Sequence, residues 1–258
     1  MAKNRPNPGE QDRRRQARLA QQQAAAAAAR RRTLTQIGII GGVAVVVLAI
    51  IATAVVLGTR DRGGPTATPA VTSSVTVDGA SVPFTITGSA FRLGPADAKA
   101  TVDLWVDYSC PHCQEFEAAN ASVLNSLLAK GDVAVSYHNI QIVTGYGTEA
   151  GNASACLAVN DPERWVAFNS ALYANHDATT DGWKASDFRS FAAAQGAGSA
   201  TQDCISSGRY SDWIAANTND ATAHDVQGTP TMFLNGQLQA ETPSGQALVD
   251  KVNALVAS

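Results

Sequence analysis

The chain has 258 residues, 45% of them hydrophobic and 16% charged, so most of it must fold, with enough apolar material for one well-packed domain and additions. Its net charge of −3 conceals two opposed parts: nine Lys or Arg against two acids give +7 up to residue 36, and ten against twenty give −10 beyond it. An acidic domain repels phosphate, which argues against nucleic acid as a partner.

The basic tail, residues 1–36, ends in the low-complexity run QQQAAAAAARRR and reads as a topology signal that also meets anionic lipid. Residues 37–58 follow. From Ile37 to Leu57 they carry no charged side chain, and as a helix they would be roughly 30 Å long, the thickness of the bilayer hydrocarbon. The expectation is one uncleaved transmembrane helix, with a cleaved signal peptide as the rival whose apolar core is usually shorter. Arginines crowd the N-terminal flank, so the N-terminus is expected in the cytoplasm and the C-terminal part outside it. Residues 59–74, rich in Gly, Pro, Ser and Thr, read as a linker.

The exported domain is expected over residues 75–258. VTVDGASVPFTI places two alternating runs around Asp78-Gly79, a hairpin signal. TVDLWVDY then sets Val102, Leu104 and Val106 on one face of a strand aimed at DYSCPHC, residues 107–113. Phe116, Ala119, Val123 and Leu127 recur at helical spacing beyond it. The close cysteine pair therefore sits where a strand becomes a helix. DVAVSYHNI, residues 132–140, predicts the next strand, parallel to the first. From about residue 145 to 223 the sequence turns Ala-rich and helix-compatible. TMFL and QLQA flank Asn235-Gly236, a second hairpin turn, and a closing helix from about Ser244 aligns Leu248, Val252, Leu255 and Val256. The pattern predicts an α/β domain carrying an inserted all-α subdomain, preceded by one transmembrane helix.

Four cysteines occur: Cys110, Cys113, Cys156 and Cys204. All four together would make a zinc site, but such sites usually pair short spacings, and Cys156 and Cys204 stand alone. In an oxidising compartment the even count allows Cys110 with Cys113 and Cys156 with Cys204, whereas other pairings would consume the close pair. A two-residue loop removes little unfolded-chain entropy, so the close pair is a poor staple. At a helix N-terminus, though, unpaired N–H groups and the helix dipole favour the Cys110 thiolate, and a stable thiolate leaves easily. Cys110 is the candidate nucleophile and Cys113 the resolving thiol, with His112 between them as an electrostatic aid. No metal and no cofactor beyond the redox pair is expected.

CPHC after an apolar strand, with Gly228-Thr229-Pro230-Thr231 far downstream before a hairpin, resembles the thioredoxin-fold disulfide oxidoreductases. DYSCPHC and GTPTMFLNG together look like the membrane-anchored or secreted DsbA-like branch of bacteria, over roughly residues 82–258. The resemblance implies a thioredoxin-like fold, a cis Pro230 beside the cysteines, Thr229 offering backbone hydrogen bonds to an extended substrate, and a structural Cys156–Cys204 bridge. It also implies partners: exported client proteins with cysteine thiols, and a membrane reoxidase of DsbB or vitamin K epoxide reductase type. The chain departs from the pattern at two points. Leu104 stands where such relatives often bury an acid, and Thr229 is similar to disulfide isomerases rather than to the best-known oxidases. A reductase or isomerase is therefore a second reading, and a non-catalytic peptide-binding module a third.

Overall fold

The computed structural model describes residues 66–258. The basic tail, the apolar segment 37–58 and most of the linker lie outside the described residues. Among those described, no helix is long and apolar enough to cross a membrane.

Seven strands form one sheet: β1 (Thr72–Val77), β2 (Ala80–Thr87), β3 (Ala90–Leu93), β4 (Ala100–Val106), β5 (Val133–Asn139), β6 (Thr231–Leu234) and β7 (Gln237–Leu238). Their spatial order is β1-β2-β3-β5-β4-β6-β7. Only β4 and β5 run parallel, joined through helix α1 (Pro111–Leu128) as the sequence predicts. Both expected hairpin turns form. Asp78 and Gly79 take φ of 48° and 81°, Asn235 and Gly236 take 46° and 75°, the left-handed pair that matches strand twist.

Three details differ from the sequence pattern. Strand β1 begins at Thr72, inside the stretch expected as linker, because Thr72 and Ser73 pair with Thr85 and Phe84 through backbone groups, which need no apolar side chain. Strand β3 was not expected: AFRL is four residues between turns, too short to show an alternation. On α1 the buried stripe runs through Cys113, Phe116, Glu117, Asn120, Leu124 and Leu127 and leaves Ala119 exposed. Two of those positions are polar, so an apolar count misplaces the stripe by part of a turn.

The all-α insertion is α2 (Gly145–Asn160), α3 (Trp165–Asn175), α4 (Ala185–Ala194), α5 (Ser199–Ser206) and α6 (Ser211–Ala221). It is seated on the sheet by Trp165, whose ring lies 5.0 Å from both Phe84 and Phe91 and 5.6 Å from Tyr137. Phe91, Tyr137 and Leu104 are register partners across β3, β5 and β4, so one sheet face carries the insertion and α1. Trp105, on the other face, joins Ile140, Ala221 and Phe233 in a smaller apolar cluster. The closing helix α7 (Gln246–Val256) packs on β4 and is tied to α1 where Asn120 accepts from the Gly245 N–H at 2.7 Å.

Candidate active site

Strand β4 delivers the chain to a turn that a single carboxylate organises. Asp107 is fully buried without a cation. Its Oδ1 accepts from the Ser109 N–H at 2.8 Å and the Ser109 hydroxyl at 2.6 Å. Its Oδ2 accepts from the Ile142 and Val143 N–H groups at 2.8 and 3.0 Å. Four donors compensate the buried charge and lock the cysteine turn to the loop after β5. Ser109 extends the tie, its hydroxyl oxygen accepting from the Thr144 N–H at 3.1 Å. A Cβ at Gly147 would collide with Asp107 Oδ1, so glycine is required for this approach.

The turn makes Cys110 the N-cap of α1, with Pro111 at the first helical position, where its missing N–H costs nothing. Both Cys110 and Cys113 are buried free thiols here. The structure also brings Thr229 and Pro230 beside them: Cys110 Sγ lies 3.3 Å from the Thr229 carbonyl oxygen, and the Thr229–Pro230 peptide is cis.

This setting splits the two thiols. Cys110 is pushed down to about 5, first by the hydrogen bond from Cys113, against the opposing effect of burial. The Thr229 side chain and the backbone N–H groups of Cys113 and His112 lower it further. The buried Thr229 hydroxyl has no hydrogen-bond partner, which leaves it available to the sulfur. Cys113 moves far upward, mainly through burial and then through its bond to Cys110. One sulfur is thus a ready thiolate at neutral pH and its neighbour a thiol.

His112 has its side chain in solvent, 79% exposed and 3.2 Å from Glu115. Its effect on Cys110 comes through the backbone N–H. Cys156 and Cys204 form a disulfide between α2 and α5, distant in role from the redox pair. No group of three or more His, Cys, Asp or Glu side chains suited to a metal occurs among the described residues.

Two features escaped the sequence pattern. One is the Asp107 clamp, whose backbone donors at Ile142 and Val143 come from a segment 35 and 36 residues away. The other is Glu117, a carboxyl 5% exposed on the buried face of α1 one turn beyond Cys113. Its signal in the sequence was an acid in step with Cys113, Asn120 and Leu124.

Comparisons with known proteins bear on the family and the fold. A family described as thioredoxin matches residues 87–253, well over half of the chain. The serine/threonine-protein kinase PknE of Mycobacterium tuberculosis is 29% identical over 157 residues, 55% of this chain but only 28% of that protein, so the chain spans little more than a quarter of the curated relatives it matches. Among solved structures, oxidised DsbA of Mycobacterium tuberculosis superposes with TM-score 0.56 at 26% identity over 66% of this chain and 93% of that one. MdbA, a thiol-disulfide oxidoreductase from Corynebacterium matruchotii, gives TM-score 0.57 at 23% identity, over 66% and 88%, a likeness of fold. With a split cysteine pair at a helix N-terminus facing a cis-proline loop, the chain belongs to the thioredoxin family and is similar to its DsbA-like thiol:disulfide oxidoreductases.

Proposed function

We propose that this protein is a membrane-tethered, exported oxidase that passes its Cys110–Cys113 disulfide to cysteines of newly exported proteins. A membrane protein of the DsbB or vitamin K epoxide reductase type then restores the disulfide. The observation that carries the direction is the Cys110 thiolate, held down to about 5. A sulfur so stable as an anion is a good leaving group, and stabilising the reduced form makes the disulfide a stronger oxidant. DsbA is itself the standard example of that rule.

The same site offers an extended client a place to lie. Ile142 and Val143 are half-exposed apolar side chains beside the cysteine turn. Ile142 lines a cavity of about 380 Å³ with Ile140, Val226 and Gly228, the residue before Thr229. The apolar segment 37–58 supports tethering, with the catalytic domain on the oxidising side.

The isomerase-like Thr229 favours a second reading, a reductase or isomerase using the same pair. A peptide-binding module without turnover is disfavoured by the asymmetry of the thiols. The test is redox equilibrium of the full-length chain in glutathione buffers, with alkylation and mass spectrometry reporting Cys110 and Cys113. A reduction potential well above that of glutathione supports the oxidase, and one near that of thioredoxin leaves a reductase. A Cys110→Ser variant that loses exchange while retaining peptide binding separates catalysis from docking.

A further inference from the structure

Disulfide exchange at Cys110 creates a proton problem at Cys113. When a client thiolate attacks Cys110 Sγ, the Cys110–Cys113 bond breaks and its electron pair leaves on Cys113, a buried sulfur for which the anion is costly. In the reverse step the Cys113 thiol must lose its proton before attacking. A proton donor and acceptor is needed beside it, and Leu104 fills the strand position that an acid would occupy.

The nearby acids narrow the choice. Asp107 has both oxygens engaged by four donors. Asp103 lies on the other sheet face, lining a pocket with Trp105 and His138. Glu115 is 76% exposed and pairs with His112. Glu117 is different. It lies four residues beyond Cys113 on the same buried face of α1, a spacing that brings side chains within about 6 Å at Cβ. The Ser170 hydroxyl and the Asn169 amide donate to its Oε1, at 2.6 and 3.3 Å, while its other oxygen accepts no hydrogen bond among the described residues.

Glu117 also faces a cavity of about 490 Å³ between α1 and α3, open to solvent and lined by Gln114, Ala118, Ser170 and Tyr173. Tyr173 is 2% exposed, and its buried hydroxyl has no hydrogen-bond partner. That hydroxyl is pushed well up, by burial first, then by the charges of Tyr108, Cys113 and Glu117, so it sits within electrostatic reach of both the thiol and the carboxyl. Tyr173, with its orphaned hydroxyl, and Glu117, with a free carboxyl oxygen, line one opening to solvent, and Cys113 stands one helical turn before that carboxyl on the same buried face of α1.

We propose that Glu117 is the proton store for Cys113, reached through the Tyr173 side of this cavity. The inference deepens the oxidoreductase reading and rests on it. As the client thiolate bonds to Cys110 Sγ, the protonated Glu117 supplies a proton to the departing Cys113 sulfur and becomes a carboxylate, which solvent reprotonates through the cavity. In resolution the carboxylate takes the Cys113 proton. The Cys113 sulfur then bonds to Cys110 Sγ of the mixed disulfide, expelling the partner's thiolate. Burial raises the Glu117 carboxyl, against the lowering by the Ser170 and Asn169 hydrogen bonds.

The test follows the full-length reduced chain as it reacts with an aryl disulfide that releases a coloured thiolate. The first release reports Cys110 attack and the second reports resolution by Cys113. Glu117→Gln should slow the second phase about 10-fold or more near neutral pH and leave the first unchanged. An unchanged second phase, or equal slowing of both, overturns the inference. Ser170→Ala keeps the carboxyl but removes a bond that lowers it, so the pH midpoint of the second phase should move upward. If Glu117→Gln does not fold, an unmoved midpoint in Ser170→Ala overturns the inference. Absence of a first phase in the unaltered protein would instead defeat the redox reading beneath it.

Discussion

Cys110 Sγ lies 3.3 Å from the carbonyl oxygen of Thr229, 119 residues further along the chain. Helix α1, strand β5 and the insertion intervene between them, and the sheet brings them together because β6, which begins just after Thr229, pairs antiparallel with β4, which ends shortly before Cys110. The backbone of a client placed at Thr229 is therefore next to the reacting sulfur.

The largest influence lowering Cys110 is its hydrogen bond from Cys113. In Cys113→Ala that bond is gone, while the helix N-terminus and Thr229 remain. The Cys110 thiol should rise from about 5 toward the neutral range, read from the pH dependence of its alkylation rate. The same variant should accumulate mixed disulfides with clients, because no second thiol resolves them. An unshifted titration would mean that the backbone N–H groups suffice alone.

Gly147 allows Asp107 to reach the loop after β5. Gly147→Ala puts a methyl group against the Asp107 carboxylate and must displace it from donors that include the Ser109 N–H. A loss of about 1–3 kcal/mol in unfolding free energy is expected from the clash, accompanied by a rise in the Cys110 titration as the N-cap turn shifts. Stability lost without any change in titration would confine Asp107 to a structural role.

How much of this was legible in the sequence follows from the kind of interaction involved. Strand β4, helix α1 and both hairpins announce themselves through local period and turn residues, and CPHC with Thr229-Pro230 marks the two halves of the site. Strand β3 was silent because it owes its place to pairing with β2 and β5 rather than to its own four residues. Glu117 and Asn120 are hard to read for another reason. A polar side chain on a buried stripe is intelligible only with its partners, Ser170 and Asn169 for one and Ser244 and Gly245 for the other, and these come from distant segments.

The Cys156–Cys204 bridge closes a segment with a sequence separation of 48. It lies wholly within the helical insertion and touches neither thiol of the redox pair. Replacing both residues by Ala should lower the unfolding free energy by about 2–4 kcal/mol through loss of the unfolded-state constraint. The Cys110 titration should stay at about 5, separating a structural bridge from the reactive one.

Acid should expose a weakness on the opposite sheet face. His138 stacks on Trp105 at 4.3 Å and shares a 2.8 Å hydrogen bond with the Ser89 hydroxyl. Burial pushes it down to about 4, with His224 adding to the effect and Asp103 and Asp220 opposing it. As pH falls, the unfolded chain takes up this proton near about 6.5, before the folded protein does near about 4. The stabilisation from neutral His138 is therefore complete above about 6.5 and is lost progressively down to about 4, a decline of about 3 kcal/mol. His138→Phe keeps an aromatic ring against Trp105 and loses only the bond to Ser89, at a cost of about 1 kcal/mol at neutral pH. Urea unfolding should show the variant less stable at neutral pH but with a flatter acid decline. Parallel declines in the two proteins would mean that groups other than His138 set the acid limit.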